Sequence, residues 1–146
     1  MSKKVLSTDV ALKELTKFLK KHKAKEFRRG TIKEESISEE YIDVLEALEF
    51  GNLTFDDKLI PKYTLIDPIL PEDKGADASL GIREITFRSR IKPSVKADLM
   101  DGLDVQKQAG KFSMRYVSYI IQQPIAILDK LSNDDYDALN QICSVF

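Results

Sequence analysis

The aspartates are the first candidates for chemistry. Asp98, Asp101 and Asp104 recur at helical spacing, and Asp129, Asp134, Asp135 and Asp137 gather around the start of a C-terminal helical pattern. Carboxylates placed in this way can ligate a divalent cation or face the positive end of a helix. No calcium-loop spacing with its central glycine is present, so capping and solvation are the expected roles. Gly110-Lys111 has the ending of a phosphate-binding loop. However, Phe112 stands where a Ser or Thr would meet magnesium, and no glycine stands at position 105 to open the loop. His22, the sole histidine, sits in a lysine-rich stretch and cannot build a zinc site or a hydrolytic triad alone. Cys143, the sole cysteine, falls on an apolar helical face and is expected as a buried small hydrophobe rather than a nucleophile. With no nucleophile–base pair and no metal set, no enzyme activity and no cofactor are expected.

Charge is the next feature able to select a partner. Residues 1–30 hold ten Lys/Arg against three acids, a net +7, and residues 31–60 hold two against nine, a net −7. A basic helix lying beside an acidic one accounts for this pattern. The other reading is a nucleic-acid arm using Lys17, Lys20, Lys21, Lys23, Lys25, Arg28 and Arg29. It is disfavoured, because the compensating acids follow at once and no aromatic platform interleaves the lysines. Arg88, Arg90 and Lys92 project from the wet face of a strand pattern, either as gatekeeping charges at a sheet edge or to meet an acidic partner.

The elements that must carry these residues follow from hydrophobic period. Leu6, Val10, Leu12, Leu15, Phe18 and Leu19 predict a helix over 8–27, capped by Ser7, Thr8 or Asp9 and ended by Gly30. Ser36-Ile-Ser-Glu39 has capping-box spacing before the Ile37, Tyr41, Val44, Leu45, Leu48 face, and Gly51 closes a helical hairpin over 1–51. Short strands are expected next, with Pro61 placing its strand toward a sheet edge. Residues 67–81 are expected as an exposed loop. Ile85, Phe87, Ser89 and Ile91 alternate with polar residues, so 58–66 and 83–91 are expected to pair as a hairpin. Helix returns at Pro93 with Val95, Leu99, Met100 and Leu103. A strongly apolar helix then carries Phe112, Tyr116, Val117, Ile120 and Ile121, Pro124 opens a turn, and a Ser132-capped helix covers 133–145.

The expected fold is therefore α+β and mainly helical: an N-terminal helical hairpin (1–51), then a small antiparallel sheet and a C-terminal helical cluster (52–146). At 146 residues one core is possible without staples, since a domain of about 150 residues buries roughly 68–70% of its unfolded surface. No apolar run approaches the roughly 20 residues of a membrane span, no secretory leader is evident, and the lone cysteine points to a reducing cytoplasm.

Four pieces occur in a fixed order: Lys62-Tyr-Thr-Leu-Ile-Asp-Pro-Ile69, Ile82-Arg-Glu-Ile-Thr-Phe-Arg-Ser-Arg90, Tyr119-Ile-Ile-Gln-Gln-Pro124 and Leu131-Ser-Asn-Asp-Asp-Tyr136. Over about residues 60–146 the chain resembles the tail assembly chaperones of long-tailed phages and related contractile particles; the hairpin over 1–51 is longer than that pattern. The resemblance implies a non-enzymatic protein of the bacterial host cytoplasm that masks the tape measure protein, or its junction with tail tube subunits, before the tube polymerises. The alternative class is a structural subunit of a tail or baseplate, and a small nucleic-acid-binding regulator is a third. Homo-oligomerisation is left open, and no membrane partner is expected. Tyr116, Tyr119, Ile120 and Ile125 could form a groove for a partner helix, although core packing is the favoured role for any single one of them, and Arg88 and Arg90 are the candidates to meet an acidic partner.

Overall fold

Ser7 starts the first helix, its Oγ accepting from the Val10 N–H at 3.3 Å, and α1 (Thr8–His22) buries Ala11, Leu15, Phe18 and Leu19 along one stripe. The structure is a computed structural model that describes residues 3–70, 81–88, 90–104 and 106–146. The single helix expected over 8–27 is in fact two. Lys23 leaves helical geometry (φ −126°, ψ 38°), and α2 (Ala24–Arg29) follows. No residue of α2 is fully buried, so packing does not hold it in line with α1. Gly30, at φ 75°, ends it in the left-handed cap that glycine favours.

The capping box at Ser36 does not form. Ser36 closes a 3-10 turn (Glu34–Ser36) with right-handed helical φ and ψ, whereas a capping serine needs extended backbone; its side chain makes no cap bond. A break at Tyr41 then separates α3 (Ile37–Glu40) from α4 (Ile42–Glu49). α1 packs against α4, and two ion pairs join the basic and acidic blocks, Lys20 to Glu34 and Lys4 to Glu49, both at 2.6 Å.

Beyond Gly51 (φ 79°), three antiparallel strands lie in the order β1 (Leu53–Phe55), β2 (Pro61–Ile69), β3 (Ile82–Thr86). β2 is thus the central strand, which corrects the edge placement expected from Pro61. Proline is tolerated because it is the first residue of the strand, opposite Phe55. The expected pairing of 58–66 with 83–91 is observed in a narrower form, Tyr63 opposite Ile85. Its register slips: Thr64 faces Glu84 and Ile69 faces Ile82, so Leu65 to Pro68 stand opposite Arg83 alone. Pro68 therefore lies in a strand bulge rather than in the expected loop. Residues 71–80 of that expected loop, and Ser89 of the expected strand, lie outside the described residues.

α5 (Pro93–Met100) buries none of its side chains and lies against α6 (Ala109–Ile121). Pro124 is the extended cap of α7 (Ile125–Leu128). Ser132 caps α8 (Asn133–Cys143) as expected, its Oγ accepting from the Asp135 N–H at 3.2 Å. The fold is mainly helical α+β. One hydrophobic cluster holds it, running from Ala11, Leu15 and Phe18 through Tyr63 and Ile85 to Leu139 and Ile142. α4 touches both α1 and α8, so the N-terminal helices share this core with the residues after 52. No helix among the described residues is long and apolar enough to cross a membrane.

Candidate docking surface

Asp135 is fully buried, and its carboxylate is the most heavily bonded polar group described. It accepts from the Tyr63 hydroxyl at 2.7 Å, the Ile66 N–H at 2.9 Å, the Asp67 N–H at 3.0 Å and the Ser132 hydroxyl at 3.0 Å. Two of these donors are the bulge amides that β3 does not pair. The carboxylate therefore completes the sheet from the helix side and fixes α8 to β2. Burial, first, and then the hydrogen bond to Asp135 and the charges of Asp135, Asp134 and Asp43 push the Tyr63 phenol well above its ordinary pKa, so it remains a donor. The spacing of the aspartate cluster predicts capping and solvation. Asp135 instead acts as an internal acceptor; the missed signal is an inward-facing Tyr63 that needs a partner once buried.

A second bracket sets the distance between α4 and α8. The Gln141 side chain accepts from the Val44 N–H at 2.9 Å and donates to the Glu40 carbonyl at 3.1 Å, satisfying both sides of the break at Tyr41. Beside these brackets a trough opens between the two helices as two adjoining cavities of about 510 and 520 Å3 that share Asp43 and Asp137. Ala47, Phe50, Leu65, Ile66 and Ala138 give one end an apolar lining, with Ile66 59% and Phe50 37% exposed. Glu40, Asp43 and Glu46 line one wall and Asp134 and Asp137 the other; among the described residues no Lys or Arg lines either cavity. Among the described residues none of these five carboxylates makes a salt bridge.

None of the six expected partner residues lines the trough, and three of them, Arg88, Tyr119 and Ile120, are joined to one another. Ile120 is fully buried in the core. Tyr116 is half-buried and donates to the Phe146 carbonyl. Arg88 turns back on its own chain: Nε donates to the Tyr119 carbonyl at 2.9 Å, its N–H to the Ile120 carbonyl at 2.7 Å, and its guanidinium lies 4.4 Å from the Tyr119 ring. It closes the negative end of α6, because β3 stops at Thr86 and the strand alternation no longer orients residue 88. Arg90 is exposed, and Ile125, on α7, is 42% exposed. Core packing therefore describes Tyr116, Tyr119 and Ile120.

The remaining candidates have local roles. Asp104 Oδ1 accepts from the Gln106 and Lys107 N–H groups in a turn, and among the described residues no three His, Cys, Asp or Glu converge as a metal set. Gly110 and Lys111 lie in the first turn of α6. Burial raises the pKa of the Cys143 thiol. Lys17 pairs with Glu14, Lys20 with Glu34, and Lys21 donates to the Lys58 carbonyl, so part of the basic stretch serves the fold. His22 lies 4.9 Å from both the Phe18 and Phe146 rings, and its Nε2 is buried without a partner.

Burial and then the Lys21 charge hold the His22 imidazole below its ordinary pKa, against a backbone hydrogen bond at Leu59. The unfolded chain thus binds this proton more readily than the folded one. Stability should be complete above about pH 6.5 and decline as pH falls below it, until the lowered folded pKa is passed. Urea midpoints at about pH 7.5 and pH 5.5 check this, and His22→Phe should flatten the difference.

No protein family, curated protein or solved structure matches this chain.

Proposed function

We propose that this protein is a non-enzymatic assembly chaperone of a phage-like tail, acting in the bacterial host cytoplasm by covering an apolar stripe of the tape measure protein before tube subunits replace it. The observation that carries the reading is the trough between α4 and α8, where Phe50 and Ile66 remain exposed beside charged walls. Contiguous apolar surface at a concave site is characteristic of protein docking. The trough takes the place of the 112–128 surface as the client site. A long helix-rich client whose apolar stripes lack a core of their own aggregates when free, and a reversible cover at this trough keeps it soluble.

Co-expression with the tape measure protein tests the reading. The expected result is a rise in soluble tape measure, with the two proteins recovered together from lysate and this chain missing from finished tails. An unchanged soluble fraction overturns it, and stoichiometric recovery in finished particles assigns the chain to the structural subunits instead.

A further inference from the structure

We infer that the α4–α8 trough takes a cationic amphipathic helix, one that sets Lys or Arg at three- to four-residue spacing beside its apolar stripe. This rests on the trough being the client site.

Its length suits an extended ligand. The lining residues extend along α8 from Asp134 to Ser144 and along the opposite wall from Glu40 to Phe50. At about 1.5 Å per residue the α8 wall makes a trough roughly 15 Å long, about three turns of a helix laid in it. Its charge has a period as well. Asp43 and Glu46 are three residues apart on α4, with Glu40 just before its start, and Asp134 and Asp137 are three apart on α8, so each helical pair is spaced about 4.5 Å along its axis. Cations three or four residues apart on a bound helix match that repeat, whereas an acidic stripe meets like charge along both walls. The apolar end, where the Asp135-bound bulge holds Ile66 at the rim near Phe50, receives the helix's apolar side chains.

The test uses the full chain and two labelled helical peptides of equal length with the same leucine stripe, one flanked by Lys and the other by Glu. The Lys peptide should bind at least about tenfold more tightly, and its affinity should fall about tenfold between low and moderately high salt. Asp43→Asn/Asp137→Asn should weaken it about tenfold with the melting temperature kept, while Asp98→Asn/Asp129→Asn, at residues that do not line the trough, should leave it unchanged. Equal binding of the two peptides, or full binding to the Asp43/Asp137 variant, overturns the inference. So does a mass above the monomer that falls to the monomer when the Lys peptide is added, since that assigns the trough to the basic helices of a second copy. The two readings fail separately. A tape measure protein kept soluble equally well by the Asp43/Asp137 variant removes the charge selection and leaves the chaperone, whereas a tight Lys peptide with no effect on tape measure solubility removes the chaperone and leaves the site.

Discussion

Asp135→Ala should lower the stability of this protein by roughly 3–5 kcal/mol, a fall in melting temperature of about 10 °C for a chain of this size. The reason is the number of donors left without an acceptor. Tyr63, Ile66 and Asp67 all direct hydrogens at this carboxylate, and both it and the Tyr63 side chain are fully buried. Burying the charge has its own desolvation cost, which these donors together with the Ser132 hydroxyl offset. Removing the acceptor leaves the Tyr63 hydroxyl buried without it and the two part-buried bulge amides without their bonds. Tyr63→Phe should be milder, about 1–2 kcal/mol, since the carboxylate keeps its other donors. Asp135→Asn should fall between the two, because an amide nitrogen cannot accept from a backbone N–H. Thermal melts followed by far-UV circular dichroism read all three. An Asp135→Ala protein within about 1 kcal/mol of the parent would mean that the β2 bulge is held by packing instead.

The local signals of the fold were legible and the long-range ones were not. Ser7, Gly30, Pro124 and Ser132 mark element ends through their own backbone chemistry, and each stands where its type places it. The breaks at Lys23 and Tyr41 carry neither glycine nor proline. The second is stabilised by Gln141, which lies 97 residues after Val44 and 101 after Glu40 and which no window of sequence joins to it. Alternation continues through Arg88 and gives it the look of a strand residue, and only the position of α6 turns it into a helix-end partner. The trough was illegible for the same reason. The carboxylates of α4 look like an ordinary wet face until α8 brings Asp134 and Asp137 opposite them. What remained hidden were the side chains whose roles are assigned by a neighbour distant in sequence.

Phe18→Ala should cost about 3–5 kcal/mol and, more informatively, should do so for the whole chain at once. Phe18 is fully buried; its ring stacks on Phe55 of β1 at 4.5 Å, meets His22 at 4.9 Å and reaches Phe146 at 5.9 Å, and Phe146 in turn stacks near Phe87 at 6.3 Å. One aromatic group therefore joins α1 to the sheet and to the end of the chain. A cavity opened there weakens contacts that belong to both halves of the sequence, so neither half can unfold without exposing the other's apolar surface. Denaturation of Phe18→Ala should remain a single transition, with tyrosine fluorescence, dominated by residues after 52, moving together with helical circular dichroism. Two transitions, with the tyrosine signal left at the parent midpoint, would instead make residues 1–51 a separable attachment. The trough would then lose its α4 wall before the rest of the fold gave way, and client binding would disappear at the first transition.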